Sequence, residues 1–466
     1  MPACVALWIV CLLTIPWPAY SDAPRPGTVR SHQKISSTAG GFTGPLKELD
    51  HFGWAVASPG DINRDGTPDL VAGVYAADDG GGERGALWVL FLNRDGTVQS
   101  QKRISATEGG FTGTLADGDV FGWAVTGLGD LDADGTPDIA VAARGDDTGG
   151  DACGAVWILF LTPSGTVKGH QKISAQPPGL LQSLGPWIGR PRPFVLPLHV
   201  DDEFGVAVAG LGDVNGDGVA DLAVASRLDD DGGKDRGAIW ILFLNRDGTV
   251  KDGQKISSTQ GGFTGALDDQ DEFGFSLASF GDFDGDGIAD LAAGARWDDD
   301  GGKDRGAVWL LLLNRNGTVK TSHKISDTQG KLTGILRDQD EFGAALASVG
   351  DLDSDGTTDL AVGARLDNDG GMSAGAIWVL FLNRDGTVKR QQKISAYDGQ
   401  FSGTLEEGDW FSSALASLGP FKRDGTFALA AGAEGDDDGG PMLGAIWILF
   451  LHTAEKGISP ISPVTN

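Results

Sequence analysis

Asp61, Asn63, Asp65 and Asp69 place side-chain oxygens at alternating positions, with Gly66 at the turn between them. The same D-x-[DN]-x-D-G-x-x-D spacing returns as Asp130, Asp132, Asp134 and Asp138, and as Asp213, Asn215, Asp217 and Asp221. Two further copies are Asp282, Asp284, Asp286 and Asp290, and Asp351, Asp353, Asp355 and Asp359. Alternate oxygens on a short loop, with glycine allowing a sharp bend, wrap one hard cation, and the ninth-position Asp would complete the shell. Neither His nor Cys lies in these loops, which disfavours zinc and copper. An Asp-Gly turn capping its own backbone amides would explain one copy. Five full copies favour Ca2+ at about five sites. In a sixth copy Pro420, Lys422 and Ala428 replace three ligand positions and only Asp424 remains. That site is expected to be dead, with the Lys422 ammonium standing in for the ion. Without metal each loop crowds its carboxylates together, so the ions are expected to stabilise the fold by mass action.

The loops sit in a repeat. Phe-Gly occurs at Phe52, Phe121, Phe204, Phe273 and Phe342, and Phe411-Ser412 completes the series; the interval is 69 residues except for one of 83. Each unit runs from this dipeptide through the acidic loop, a short Asp-Leu-Ala-like strand and a second Asp-Gly loop. It then passes Gly-Ala-x-Trp-x-Leu-x-Leu, a hairpin turn such as Asn383-Arg384-Asp385-Gly386, and a Lys-Ile-Ser segment. Four strands per unit follow. In the fifth unit they are Phe342 to Ser348, rich in small residues as befits a crowded axis, then Leu360 to Gly363, then Ala376 to Leu382. The third is apolar on both faces, as in a strand covered from two sides. The fourth, around Thr387 to Ser395, alternates and reads as an exposed edge.

One four-stranded unit cannot bury both faces, so the units must stack, and a ring hides the terminal faces. Thr28 to Ser36 matches a fourth strand ahead of the first complete unit, while the last unit ends after its third strand at Leu451. The expected fold is therefore an all-β, six-bladed β-propeller over residues 28–452, its ring closed by the N-terminal strand. An open solenoid and a seven-bladed ring made with a partner are the alternatives.

The 73 Gly residues suit many tight turns. A net charge of −29 argues against nucleic acid or an anionic membrane surface and favours cations. Val5 to Pro18 is apolar, too short to span a bilayer, and followed by Ala19-Tyr20-Ser21. Residues 1–21 thus read as a signal peptide, with secretion expected. Cleavage there would leave Cys153 alone, so no intramolecular disulfide is expected. No membrane span is expected elsewhere. Residues 453–466 form a C-terminal tail.

Phe-Gly, the D-x-D-x-D-G loop and strand ends such as Gly294-Ala295 resemble the FG-GAP repeats of integrin α-chain N-terminal propellers. The resemblance covers about residues 28–452. It implies a propeller with calcium loops between the first and second strands of its blades, all on one face, and an adhesion or recognition role. This chain shows six units where integrin α propellers have seven. The further domains and membrane span of integrins are not expected in this chain, so integrin signalling is not expected to transfer.

Several motifs that look functional also have a plainer reading. Arg144-Gly145-Asp146 spells an adhesion tripeptide, but the repeat places Arg227-Leu228-Asp229, Arg296-Trp297-Asp298 and Arg365-Leu366-Asp367 at the same point. The second Asp-Gly loops, such as Asp229 to Gly233, could bind further cations but read by default as solvated turns. His32, His170 and His323 recur with the fourth strand and form no catalytic cluster. Asn316-Gly317-Thr318 is a glycosylation sequon inside a tight turn. The stretch 176–200 carries 14 extra residues and is either a loop inserted for binding or a gene-model artefact. No catalytic constellation stands out, so the chain is expected not to be an enzyme. Its expected role is extracellular recognition or adhesion, with an unnamed protein or glycan as partner. The alternatives are a propeller-type polysaccharide hydrolase or lyase, and a purely structural extracellular protein.

Overall fold

The structure, a computed structural model, describes residues 24–175 and 194–454. The signal peptide at 1–21, residues 176–193 of the irregular stretch and the tail beyond 454 lie outside the described residues. Blade 1 contains β2 (Val56–Gly60), β3 (Asp69–Val74), β4 (Ala86–Leu92) and β5 (Val98–Ser105); β1 (Val29–Ile35) precedes it. Blade 2 contains β6 (Phe121–Gly129), β7 (Asp138–Ala143), β8 (Ala155–Leu161) and β9 (Val167–Ser174). Blade 3 follows with β10 (Phe204–Gly212), β11 (Asp221–Ser226), β12 (Ala238–Leu244) and β13 (Val250–Ile256). Blade 4 has β14 (Ser276–Gly281), β15 (Asp290–Ala295), β16 (Ala307–Leu313) and β17 (Val319–Ile325). Blade 5 has β18 (Phe342–Gly350), β19 (Asp359–Ala364), β20 (Ala376–Leu382) and β21 (Val388–Ile394). Blade 6 takes β22 (Phe411–Pro420), β23 (Phe427–Ala433) and β24 (Ala445–Leu451) from the C-terminal end, and its fourth strand is β1.

All six sheets are antiparallel and four-stranded, as a six-bladed β-propeller requires. β1 pairs with β24 from Val29 opposite Leu451 to Ile35 opposite Ile446, so the two ends of the chain share one blade. The third strands are buried along their whole length, because each blade is covered on both faces by its neighbours. Each of the six apolar clusters lies between two successive blades. The cluster joining blades 6 and 1 holds Ile446, Ile448 and Phe450 against Leu70, Trp88 and Leu90. The ring therefore closes on itself, and neither the open solenoid nor a seventh blade is needed.

The Phe-Gly signature has a steric reason. The six Phe side chains are fully buried. Gly53 and Gly343 have φ of 91° and 94°, and a Cβ there would lie 2.6 Å and 2.5 Å from a carbonyl oxygen of the preceding blade. Ser412 takes the same left-handed conformation at φ 77°, with its hydroxyl donating to the Ala376 carbonyl at 2.8 Å. That bond explains how blade 6 tolerates the departure. The first strands line an axial channel, whose larger cavity of about 240 Å³ is walled by small residues such as Ala57, Ser58, Thr126 and Ser279. Cys153 is a free, buried thiol. Of the irregular stretch, Leu196 is buried in one cluster with Phe204 and Trp240, so its end packs into the blade 2–3 interface.

Candidate functional site

Each acidic loop links the first strand of a blade to the second, placing all of them at one end of the channel. In blade 1, the Asp61 carboxylate accepts the Asp65 N–H at 3.0 Å and the Gly66 N–H at 2.7 Å. Asp65 accepts the Thr67 N–H at 2.9 Å. Blade 2 repeats this with Asp130, which accepts from Asp134 at 2.9 Å and Gly135 at 2.8 Å. Blades 3 and 5 repeat it at Asp213 and Asp351, and blade 4 keeps the Gly287 bond to Asp282. The backbone is thus curled around the first carboxylate, with the residues at positions 1, 3 and 5 exposed or half-buried.

The ninth-position aspartates behave differently. Asp69, Asp138, Asp221, Asp290 and Asp359 begin the second strands and are buried. Asp138 accepts the Leu131 N–H from its loop and the Leu161 N–H from the third strand, both at 3.0 Å. The other four make the corresponding pair of bonds. Burial pushes these carboxyls up, to about 6 for Asp138, Asp221 and Asp290 and about 7 for Asp69 and Asp359, against the pull of the backbone amides. Each one ties loop, second strand and third strand together, a structural duty beside any metal ligation.

Oxygen-only donor sets converge as a hard divalent cation requires. Single oxygens of Asp130, Asp132 and Asp138 lie within 4.8 Å of one another, as do those of Asp282, Asp284 and Asp290, and of Asp351, Asp353 and Asp355. The Asp353 Oδ1 is buried with no hydrogen-bond partner. Blades 1 and 3 have Asn63 and Asn215 at the third position. The residues present therefore fit a cation such as calcium.

Blade 6 corrects one expectation. The Lys422 ammonium lies 3.6 Å from the centre of the Phe450 ring, so it does not stand in for an ion. Instead Arg30, from β1, meets Asp424 at 3.1 Å. The second Asp-Gly loops are a further correction, because they are not solvated turns. Lys255 reaches Asp229 at 2.6 Å and Asp231 at 2.9 Å, and Lys324 reaches Asp298 and Asp300 at the same two distances. Lys34, Arg103, Lys172 and Lys393 do likewise in the other blades. These six loops carry their own cation.

At the opposite end of the channel lies a feature unread in the sequence. Arg227 bridges Glu203 at 2.6 Å and Glu272 at 2.8 Å; Arg296 continues from Glu272 at 2.8 Å to Glu341 at 3.8 Å. Arg365 joins Glu341 at 2.8 Å to Glu434 at 3.5 Å, and Glu434 approaches His51 at 3.5 Å. At the other end of this chain, Arg144 pairs with Glu203 at 2.7 Å. Burial alone would raise the Glu203 carboxyl, yet Arg227 and Arg144 hold it below its ordinary value. Aromatic rings close the circuit. His51 stacks on Tyr75, Tyr75 meets Trp123 edge-on, and the Arg144 guanidinium lies 3.7 Å from the Trp123 ring centre. Trp54 packs on Trp123 with centroids 4.4 Å apart. Arg144 and the buried, Lys172-bonded Asp146 are thus engaged internally, so the Arg-Gly-Asp tripeptide is not presented as a ligand. The available signal was the recurrence of Arg after the second strand and of Glu before the Phe.

Comparison with known proteins adds the following. The FG-GAP repeat family matches residues 52–90, 121–159, 204–242, 273–311 and 342–380, the five units with complete acidic loops. Integrin alpha-11 of Homo sapiens is 32% identical over 172 residues, covering 35% of this chain and 13% of that protein. Integrin alpha pat-2 of Caenorhabditis briggsae is 29% identical over 260 residues, covering 53% of this chain and 18% of that protein. The chain thus spans less than a fifth of the length of these relatives. A chain from the crystal structure of BBS1N in complex with ARL6DN aligns over 92% of this chain and 98% of its own length, with 13% identity and a TM-score of 0.42. Among the described residues, no helix is long and apolar enough to cross a membrane.

Proposed function

Because the chain is an FG-GAP repeat protein resembling integrin alpha chains, we propose that it is an extracellular recognition module, stabilised by calcium, for a protein or glycan partner. The five complete loops would hold the ions through the aspartates and asparagines at positions 1, 3 and 5, with the ninth-position Asp behind them. Bound cations neutralise the crowded carboxylates and stiffen the first-to-second strand connections. The role assigned to the chain is binding; no residue is given a catalytic one.

The observation that carries recognition is the break in sixfold symmetry at the channel mouth away from the acidic loops. There His51 and Tyr75 of blade 1 stand where blades 3 to 5 present Glu and Arg, and Trp54 and Trp123 of blades 1 and 2 stand where the other blades have Val206, Phe275, Ala344 and Ser413. Of these, His51, Trp54 and Tyr75 are partly exposed and Trp123 is buried; partly exposed aromatics on a rigid frame supply contact area at small entropic cost and are enriched at binding hot spots. The test is binding of the secreted chain to panels of immobilised extracellular-matrix proteins and glycans. Trp54→Ala is expected to weaken a saturable interaction roughly 30-fold or more, as truncation of a hot spot does. Equal binding by wild type and variant would remove this face from the account.

A further inference from the structure

The fourth strands of blades 2 to 5 carry a lysine directly after their first Val: Lys168, Lys251, Lys320 and Lys389. Antiparallel pairing and strand pleat bring each of these side chains over the acidic loop of its own blade. Lys320 lies 2.6 Å from Asp284 and 2.8 Å from Asp286. Lys389 lies 3.0 Å from Asp353 and 2.6 Å from Asp355. Lys168 bonds Asp132 at 2.8 Å and also Asp134, and Lys251 bonds Asp217 at 2.8 Å. Three of the ammoniums hold the carboxylates at positions 3 and 5, and Lys251, whose loop has Asn215 at position 3, holds the position 5 carboxylate alone; these are oxygens a cation would take. Blade 1 has Gln99 at the equivalent place, exposed and uncharged.

We propose that these four lysines are tethered competitors of the metal, which grade cation affinity around the ring and leave the blade 1 loop the tighter site. The proposal rests on the calcium reading above. Blades 1 and 3 provide a matched pair, because both loops offer Asp, Asn, Asp and Asp at positions 1, 3, 5 and 9. They differ in the side chain overhead, Gln99 in one and Lys251 in the other. Of the other cations near the blade 1 loop, Arg64 donates to the Asp134 carbonyl of blade 2 at 3.4 Å, and Arg94 donates to the Gly66 carbonyl at 2.6 Å as Arg246 does to Gly218 in blade 3 at 3.1 Å, so the matched pair shares that contact. An ion entering the blade 3 loop must break the Lys251–Asp217 pair and work against the displaced charge; one entering blade 1 meets neither cost. The second loops show the same device in permanent form, since Lys255 and Lys324 sit there largely buried, whereas the four competitors are 29% to 53% exposed and free to swing out.

The test is titration of the full chain with calcium chloride, by calorimetry and by competition with a chromophoric chelator. Wild type should bind with one tighter site and a weaker group. The quadruple variant K168Q/K251Q/K320Q/K389Q should tighten the weaker group by roughly three- to tenfold, as the loss of one or two exposed ion pairs implies. Q99K should abolish the tighter class. All five side chains are on the surface, so both variants should keep the wild-type far-ultraviolet spectrum. Calcium binding with unchanged affinities in both variants would overturn the competitor role while leaving the calcium reading standing. No calcium binding by any of the three proteins would overturn the calcium reading itself.

Discussion

A chain lacking residues 24–37 should fail to form a stable monomeric ring. That segment contains β1, the fourth strand of blade 6, and its removal strips β24 of every hydrogen bond from Val29–Leu451 to Ile35–Ile446. It also removes Val29 from the blade 5–6 core and Ile35 from the blade 6–1 core, two side chains 3% and 0% exposed. Lys34, which neutralises Asp436 at 2.5 Å and Asp438 at 2.7 Å, is lost with them. The exposed edge would be β24 itself, Ala-Ile-Trp-Ile-Leu-Phe-Leu, an uncharged strand that invites edge-to-edge pairing. Light scattering and thermal unfolding should show aggregation or loss of the cooperative transition. A synthetic 24–37 peptide added during refolding should restore it. A truncated chain that stays monomeric and melts with the intact protein would contradict closure by β1.

The second large effect is expected at Glu272. Its side chain is 1% exposed and accepts from Arg227 at 2.8 Å and from Arg296 at 2.8 Å, at the centre of the ion-pair circuit. Glu272→Ala leaves two guanidinium groups short of a partner, and removal of one member of a buried pair costs about 3–5 kcal/mol. The circuit spans successive blades, so the loss should also loosen the blade 3–4 junction. Chemical denaturation should show the loss, and a double variant that also replaces Arg296 with Met should recover part of it. A loss below about 1 kcal/mol would mean that these pairs behave as surface ion pairs.

Repetition made most of the fold legible. β20 spans Ala376–Leu382, the same bounds the apolar run predicts, because a strand buried on both faces has an unbroken hydrophobic signature. The closing strand was legible because Val29 to Ile35 repeats the pattern of β21 and β17. Ligand spacing in the five loops was equally plain, being local. What stayed hidden depends on contacts distant in sequence. Lys389 reaches Asp355 across 34 positions and Arg227 reaches Glu272 across 45, so only strand register and blade order reveal them. Lys422 was misplaced for a similar reason: the Phe450 ring that holds it comes from the third strand of the blade, 28 residues on. A third class of buried aspartates was also missed. Asp119, Asp202, Asp271, Asp340 and Asp409 precede the Phe by two positions, and each accepts a backbone N–H three residues back. Their role is a turn lock, with burial as the first cause raising all five carboxyls to about 6 or 7.

The five acidic loops are proposed as calcium sites built into the ring. Thermal unfolding of the purified chain with calcium, with magnesium and with a chelator, paired with calorimetric ion counting, tests this proposal most directly. A calcium-specific rise in Tm and about five bound ions are expected, with dissociation constants on the order of 10⁻⁴–10⁻³ M. Identical melting in all three conditions, with no ion bound, would contradict it and leave the loops as turns held by their own backbone amides.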